Sequence, residues 1–141
     1  MAPKPEIRHV AIAVRSLETA RVVFEALLGA KLSEPETGAG DAEVNRLMWR
    51  RGKGAPVLEL IAPVDEDGAV ARFIRKRGEG IHHVTLAVPD LDATRRRLVA
   101  AGARVVARPS YYRDVDGRPF REVFLHPKDA HGVLFHLLED A

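Results

Sequence analysis

The sequence predicts an α+β protein of two paired βαβββ modules whose curved mixed sheets surround a cleft. Three observations carry that prediction. A strand-like octapeptide occurs twice, 74 residues apart. Each copy is followed by a helical pattern that stops at glycine. Two later apolar strands each carry one polar residue at matching places.

The elements follow in order. Ile7-Arg8-His9-Val10-Ala11-Ile12-Ala13-Val14 reappears as Ile81-His82-His83-Val84-Thr85-Leu86-Ala87-Val88. Ser16 and Asp90 come next, and both are good helix N-caps. Leu17, Ala20, Phe24, Leu27 and Leu28 fall on one helical stripe, and Leu91, Leu98 and Ala101 do so in the second copy. Leu28-Gly29-Ala30-Lys31-Leu32 matches Ala101-Gly102-Ala103-Arg104-Val105, where glycine ends the helix and a new strand is expected. Further strands read at Val44–Trp49, Pro56–Ile61, Glu122–His126 and Val133–Leu138, between turns rich in Gly and Pro.

Between the repeats, Val70, Phe73 and Ile74 at helical spacing predict a connecting helix over about 68–78. Module one then runs over about 5–64 and module two over about 79–139. Each is too small for a secure core alone, so a single domain over 1–141 is expected.

Composition excludes several function classes. The chain has 141 residues, 46% hydrophobic, and no cysteine, which removes disulfides, thiolate metal sites and cysteine nucleophiles. No apolar run is long enough for a membrane span, and MAPKPEIRHV has no apolar signal core, so a cytoplasmic protein is expected with no membrane partner. Net charge is +2, and the basic groups Arg72, Arg75, Lys76, Arg77 and Arg95, Arg96, Arg97 read first as solvated helix faces. Aromatic content of 6% without aromatic and basic interleaving argues against nucleic acid as a partner.

His9 and His83 hold the same position in the two repeats. One strand histidine is usually structural, but its duplication at equivalent places points to metal ligation. Val57-Leu58-Glu59-Leu60-Ile61 corresponds in the same way to Leu134-Phe135-His136-Leu137-Leu138, 77 residues on. A carboxylate inside an apolar strand costs several kcal/mol unless a cation compensates it, so Glu59 asks for a partner. The alternative is that Glu59 faces solvent on a one-sided sheet. His9, Glu59, His83 and His136 together make a three-nitrogen, one-carboxylate metal set that suits one divalent Co, Ni, Mn, Fe or Zn ion. His82 should point away from His83. His126 and His131 flank a turn, where they touch substrate or solvent.

These residues resemble the vicinal-oxygen-chelate (glyoxalase/bleomycin-resistance/dioxygenase) superfamily, and within it the methylmalonyl-CoA epimerases. The resemblance covers nearly the whole chain. It is carried by HVAIAV at His9, LELIAP around Glu59, VARFIRKRGEGIHHV ending at Val84, and FLHPKDAHGVLF from Phe124. It implies a homodimer, a divalent metal, an acyl-CoA substrate and proton transfer at the carbon beside a thioester carbonyl.

The family closes its metal set with a glutamate in a phrase like VLVEL, whereas this chain has His136. It also places a carboxylate on the strand before Glu59, where this chain has Arg46. The expected acid-base groups are therefore His136 and Glu122, the latter on the equivalent strand of module two. Glu122 reads alternatively as a surface partner of an arginine. Arg46, Tyr112, His126 and Lys128 are the candidate substrate-binding residues. Two other functions stay open on this scaffold: a glyoxalase-like lyase or metal-dependent oxygenase, and a non-catalytic small-molecule binding protein.

Overall fold

A computed structural model describes residues 3–37, 44–113 and 119–140, with side chains described outside 107–120 and 140. The chain divides into two compact units, one of His9–His82 and one of Met1–Arg8 with His83–Ala141. Both are α+β with mixed sheets.

In the His9–His82 unit, strand β1 (Glu6–Ala13, from His9 onward) leads to helix α1 (Leu17–Leu28), a two-residue strand β2 (Glu36–Thr37), β3 (Val44–Arg50), β4 (Val57–Pro63) and helix α2 (Ala69–Arg77). The strand order is β2-β3-β4-β1, with β1 parallel to β4 and the other pairs antiparallel. In the second unit β5 (Gly80–Ala87, from His83 onward) leads to α3 (Leu91–Ala100), β6 (Val105–Arg113), β7 (Pro119–Leu125), a 3₁₀ turn (Pro127–Asp129) and β8 (Leu134–Asp140). Its order is β5-β8-β7-β6, again with one parallel pair, β5 with β8. The two units share one topology, as the repeat predicts.

Local chemistry explains the elements. Ser16 is extended and accepts the Thr19 amide, and Asp90 accepts the Ala93 amide, so both helices start at the expected caps. Gly29 closes α1 at φ 61, a left-handed conformation that costs a residue with a Cβ about 1–2 kcal/mol. The connecting helix also forms, with Val70, Ala71 and Ile74 buried.

Three expectations are corrected. No strand begins at Leu32: its amide donates to the Glu25 carboxylate at 3.1 Å, and Ser33 meets Met48 by one backbone bond and its own hydroxyl. A local side chain thus satisfies the donor that a strand ladder would have used. Leu27 is 73% exposed instead of lying on the buried stripe, because that stripe is set by Leu17, Ala20, Phe24 and Leu28, and Leu27 falls beyond its edge. Ala101 is exposed as the residue ending α3.

Each unit has its own core. In the first, Ala11, Ala13, Val44, Ile61, Val70 and Ile74 pack together under α2, while Val14, Leu32, Leu47, Leu60 and Ala62 pack with the partly buried face of α1. Leu47 and Leu60 are fully buried, each contributing about 1.5–3 kcal/mol by leaving water. In the second, Val88, Leu91, Val123 and Leu137 pack with Leu98, Val105 and Phe135. No helix among the described residues is long and apolar enough to cross a membrane.

Candidate active site

Strand register decides which polar residues share a sheet face, since directly partnered residues and those two apart along a strand project the same way. On β1 and β4, Ala11 is partnered with Glu59, and His9 lies two residues before Ala11. His9 and Glu59 therefore occupy one face. On β5 and β8, Thr85 is partnered with His136, and His83 lies two residues before Thr85. The two predicted donor pairs stand in the same register.

Glu59 is 6% exposed, so it does not face solvent. Burial pushes its carboxyl above the ordinary value of 4.5, while the nearby Arg46 guanidinium opposes that shift. Arg46, on β3, gives Nε and Nη2 to Oε1 of Glu36 at 3.0 and 2.9 Å, and its Nη1 lies 3.9 Å from Oε2 of Glu59. The guanidinium thus lies against two carboxylates, Glu36 closely and Glu59 at longer range.

In the other unit the imidazoles of His83 and His136 stack, with centroids 3.9 Å apart and planes within 4° of parallel. Oε1 of Glu122 lies 2.9 Å from Nδ1 of His136. The Phe124 ring meets His136 edge-on at 4.2 Å. Glu122 and His83 are buried at 9% and 8% exposure, and among the described side chains no arginine is paired with Glu122. Arg121 is the residue that makes such contacts, with Asp92 and Glu139.

The remaining candidates disperse. His82 packs edge-on against Phe73 at 4.9 Å, away from the face of His83. His126 caps the 3₁₀ turn, its Nδ1 accepting the Lys128 amide at 3.1 Å, which gives it a structural task. Lys128 and His131 are exposed in that turn. Tyr112 is partnered with Phe120 in the β6/β7 ladder, and its side chain lies outside the described residues.

Three neighbours escaped the sequence reading. Thr85 is 1% exposed and partnered with His136, and its signal was its correspondence to Ala11. Phe124 could have been found by alternation with Glu122 on β7. Glu36 had no local signal, because its pairing with Arg46 depends on β2/β3 register.

The donors suit a divalent cation in kind. A buried carboxylate with raised proton affinity gains from a positive neighbour, and histidine nitrogens are suitable companion donors by type. Among the described residues no three His, Asp or Glu side chains are gathered at metal-ligand spacing. Chemically, the two units thus offer two donor pairs, each backed by a charged residue on the adjacent strand.

A family model described as the Glyoxalase/Bleomycin resistance protein/Dioxygenase superfamily matches residues 8–121. The chain is 36% identical over 132 residues to the ethylmalonyl-CoA/methylmalonyl-CoA epimerase of Cereibacter sphaeroides, covering 93% of this chain and 95% of that relative. The crystal structure of methylmalonyl-CoA epimerase from Mycobacterium tuberculosis matches with TM-score 0.75 and 37% identity, over 96% of this chain and 87% of that one. A methylmalonyl-CoA epimerase solved with methylmalonyl-CoA and NH4+ matches with TM-score 0.76 and 32% identity, over 99% and 96%. With these matches spanning nearly its whole length, and with the duplicated register beneath them, the chain belongs to the Glyoxalase/Bleomycin resistance protein/Dioxygenase superfamily.

Proposed function

We propose that this chain is a metal-dependent isomerase that moves a proton at the carbon next to a thioester carbonyl, as a methylmalonyl-CoA epimerase does. The carrying observation is similarity to epimerases over more than nine-tenths of the chain, including a structure holding methylmalonyl-CoA itself.

The ligands we assign are His9, Glu59, His83 and His136. When bound, a divalent cation supplies electrostatic stabilisation of the charge that develops on the thioester oxygen as the α-proton leaves. The chain's residues supply the rest. Epimerisation needs a group that accepts a proton on one face of the carbon and one that returns it on the other. We assign proton handling to Glu122 and His136, whose Oε1 and Nδ1 lie 2.9 Å apart, since the position before Glu59 is occupied by Arg46, which cannot act as a base at physiological pH. The reading carries with it a single functional domain over 1–141, a homodimer and a cytoplasmic setting.

Arg46 also favours a second reading. With a cation in place of a carboxylate on β3, a lyase or oxygenase reaction on the same scaffold is the alternative.

The deciding experiment is hydrogen–deuterium exchange at the α-carbon of methylmalonyl-CoA in deuterated water, with metal content measured on the same sample. Metal-dependent exchange is expected. Metal-loaded protein without exchange would transfer the assignment to the lyase or oxygenase reading.

A further inference from the structure

Arg46 brings a permanent positive charge to a sheet face that also carries His9 and Glu59. Its ladder partner is Glu36, and it lies two residues before Met48, the partner of Glu59. Glu36, Arg46, Glu59 and His9 therefore project from one face of the His9–His82 unit. The Arg46 side chain is only 13% exposed. A guanidinium so far withdrawn from water stays charged and needs an anion beside it.

The anion that Arg46 has is weakly held. Nε of Arg46 donates to Oε1 of Glu36 at 3.0 Å, and Nη2 lies 2.9 Å from the same oxygen. The pair thus falls short of the two-oxygen fork that a guanidinium and a carboxylate can form. Oε2 of Glu59, 3.9 Å from Nη1, is beyond hydrogen-bond reach. The Glu36 side chain is 47% exposed and belongs to β2, a two-residue strand at the edge of its sheet. An ion pair with so exposed a partner adds little, because water screens it. Arg46 itself is fixed, within a seven-residue strand paired along its length with β4.

We infer that Arg46 binds the free carboxylate of the substrate's acyl group, exchanging Glu36 for it, and so selects acyl thioesters that carry a carboxylate. The inference rests on the acyl-CoA reading above and gives Arg46 a task other than proton transfer. One carboxylate replaces another, so the charge of Arg46 is balanced before and after binding, and no covalent bond changes. A thioester without the carboxylate leaves Glu36 in place and gains nothing from Arg46.

The test measures binding of methylmalonyl-CoA and propionyl-CoA, which differ by that carboxylate alone, to the whole purified chain by calorimetry. Each titration is run with and without chelator, which separates any contribution of a metal. In chelator, wild type is expected to prefer methylmalonyl-CoA by about 10- to 100-fold. Arg46→Met should abolish the preference by weakening methylmalonyl-CoA alone. Glu36→Gln removes the competing carboxylate and should tighten methylmalonyl-CoA several-fold with propionyl-CoA unchanged, a gain that a purely structural ion pair would not give.

No preference in wild type, a preference kept in Arg46→Met, or no tightening in Glu36→Gln overturns the inference while the acyl-CoA reading stands. If Arg46→Met fails to fold, the exposed change Glu36→Gln decides alone. Wild type that binds neither thioester, with or without metal, overturns both.

Discussion

Arg46 on β3 and Glu122 on β7 occupy corresponding positions in their sheets and carry opposite charge. Each lies two residues before the ladder partner of a last-strand polar residue, Met48 opposite Glu59 and Phe124 opposite His136. Each also reaches that residue, at 3.9 Å for Arg46–Glu59 and 2.9 Å for Glu122–His136. Both modules thus back the last-strand residue with a group of complementary character, and the polarity is exchanged between them.

That exchange bears directly on activity. His136→Glu would restore the carboxylate found in the epimerase pattern and is expected to raise the epimerisation rate about tenfold, or ~1.4 kcal/mol of barrier. The new carboxylate would face Glu122, and two like charges this close disfavour ionisation of both. The double change His136→Glu with Glu122→Gln relieves that repulsion but removes the second proton-handling group, so it should fall below the single one. Rate assays with methylmalonyl-CoA decide the matter, and no gain in His136→Glu would place the cause elsewhere in the pocket.

Metal content tests the ligand assignment. His83→Ala removes a nitrogen donor and the stacking partner of His136, a contact of about 0.5–1.5 kcal/mol. The variant should remain folded by circular dichroism while most of the metal measured by elemental analysis is lost, and His9→Ala should behave alike. Undiminished metal in either variant would remove that residue from the site.

Glu59 makes the metal-free protein sensitive to pH. Burial raises its carboxyl above 4.5 in the folded state, so the folded chain holds that proton more tightly than the unfolded chain does. The resulting stabilisation is complete below the unfolded value and is lost as pH rises through the raised folded value. Urea unfolding midpoints of metal-free wild type should carry this downward component from about pH 4.5 toward neutrality, and Glu59→Gln should lack it. An identical pH dependence in the two proteins would assign the effect to another group.

Gly29 offers a test of local structure alone. Its φ of 61 is left-handed, and nothing stands within 4 Å of where a Cβ would sit, so substitution meets conformational strain without a clash. Gly29→Ala should cost about 1–2 kcal/mol in urea unfolding, and Gly29→Asn less, because asparagine tolerates this conformation better. Equal losses would mean that contacts, not backbone preference, set the cost.

The sequence by itself determined the repeat, and with it the α+β topology, the caps at Ser16 and Asp90, the connecting helix and the matched pairs His9/Glu59 and His83/His136. These were legible because each rests on short-range pattern: alternation along a strand, helical spacing, a capping side chain, a glycine at a helix end. What sits beside the pairs was decided only by tertiary structure. Glu122 meets His136, and Arg46 meets Glu36 and Glu59, through antiparallel register across strands joined by turns of different length, which no periodicity reports. Leu27 is exposed and Leu32 forms no strand for a related reason, since a stripe's edge is set by the surface it packs against, and a donor goes to whichever acceptor folding brings nearest, here Glu25. Chain pattern selects the face on which a residue stands, and the register between strands selects its neighbours.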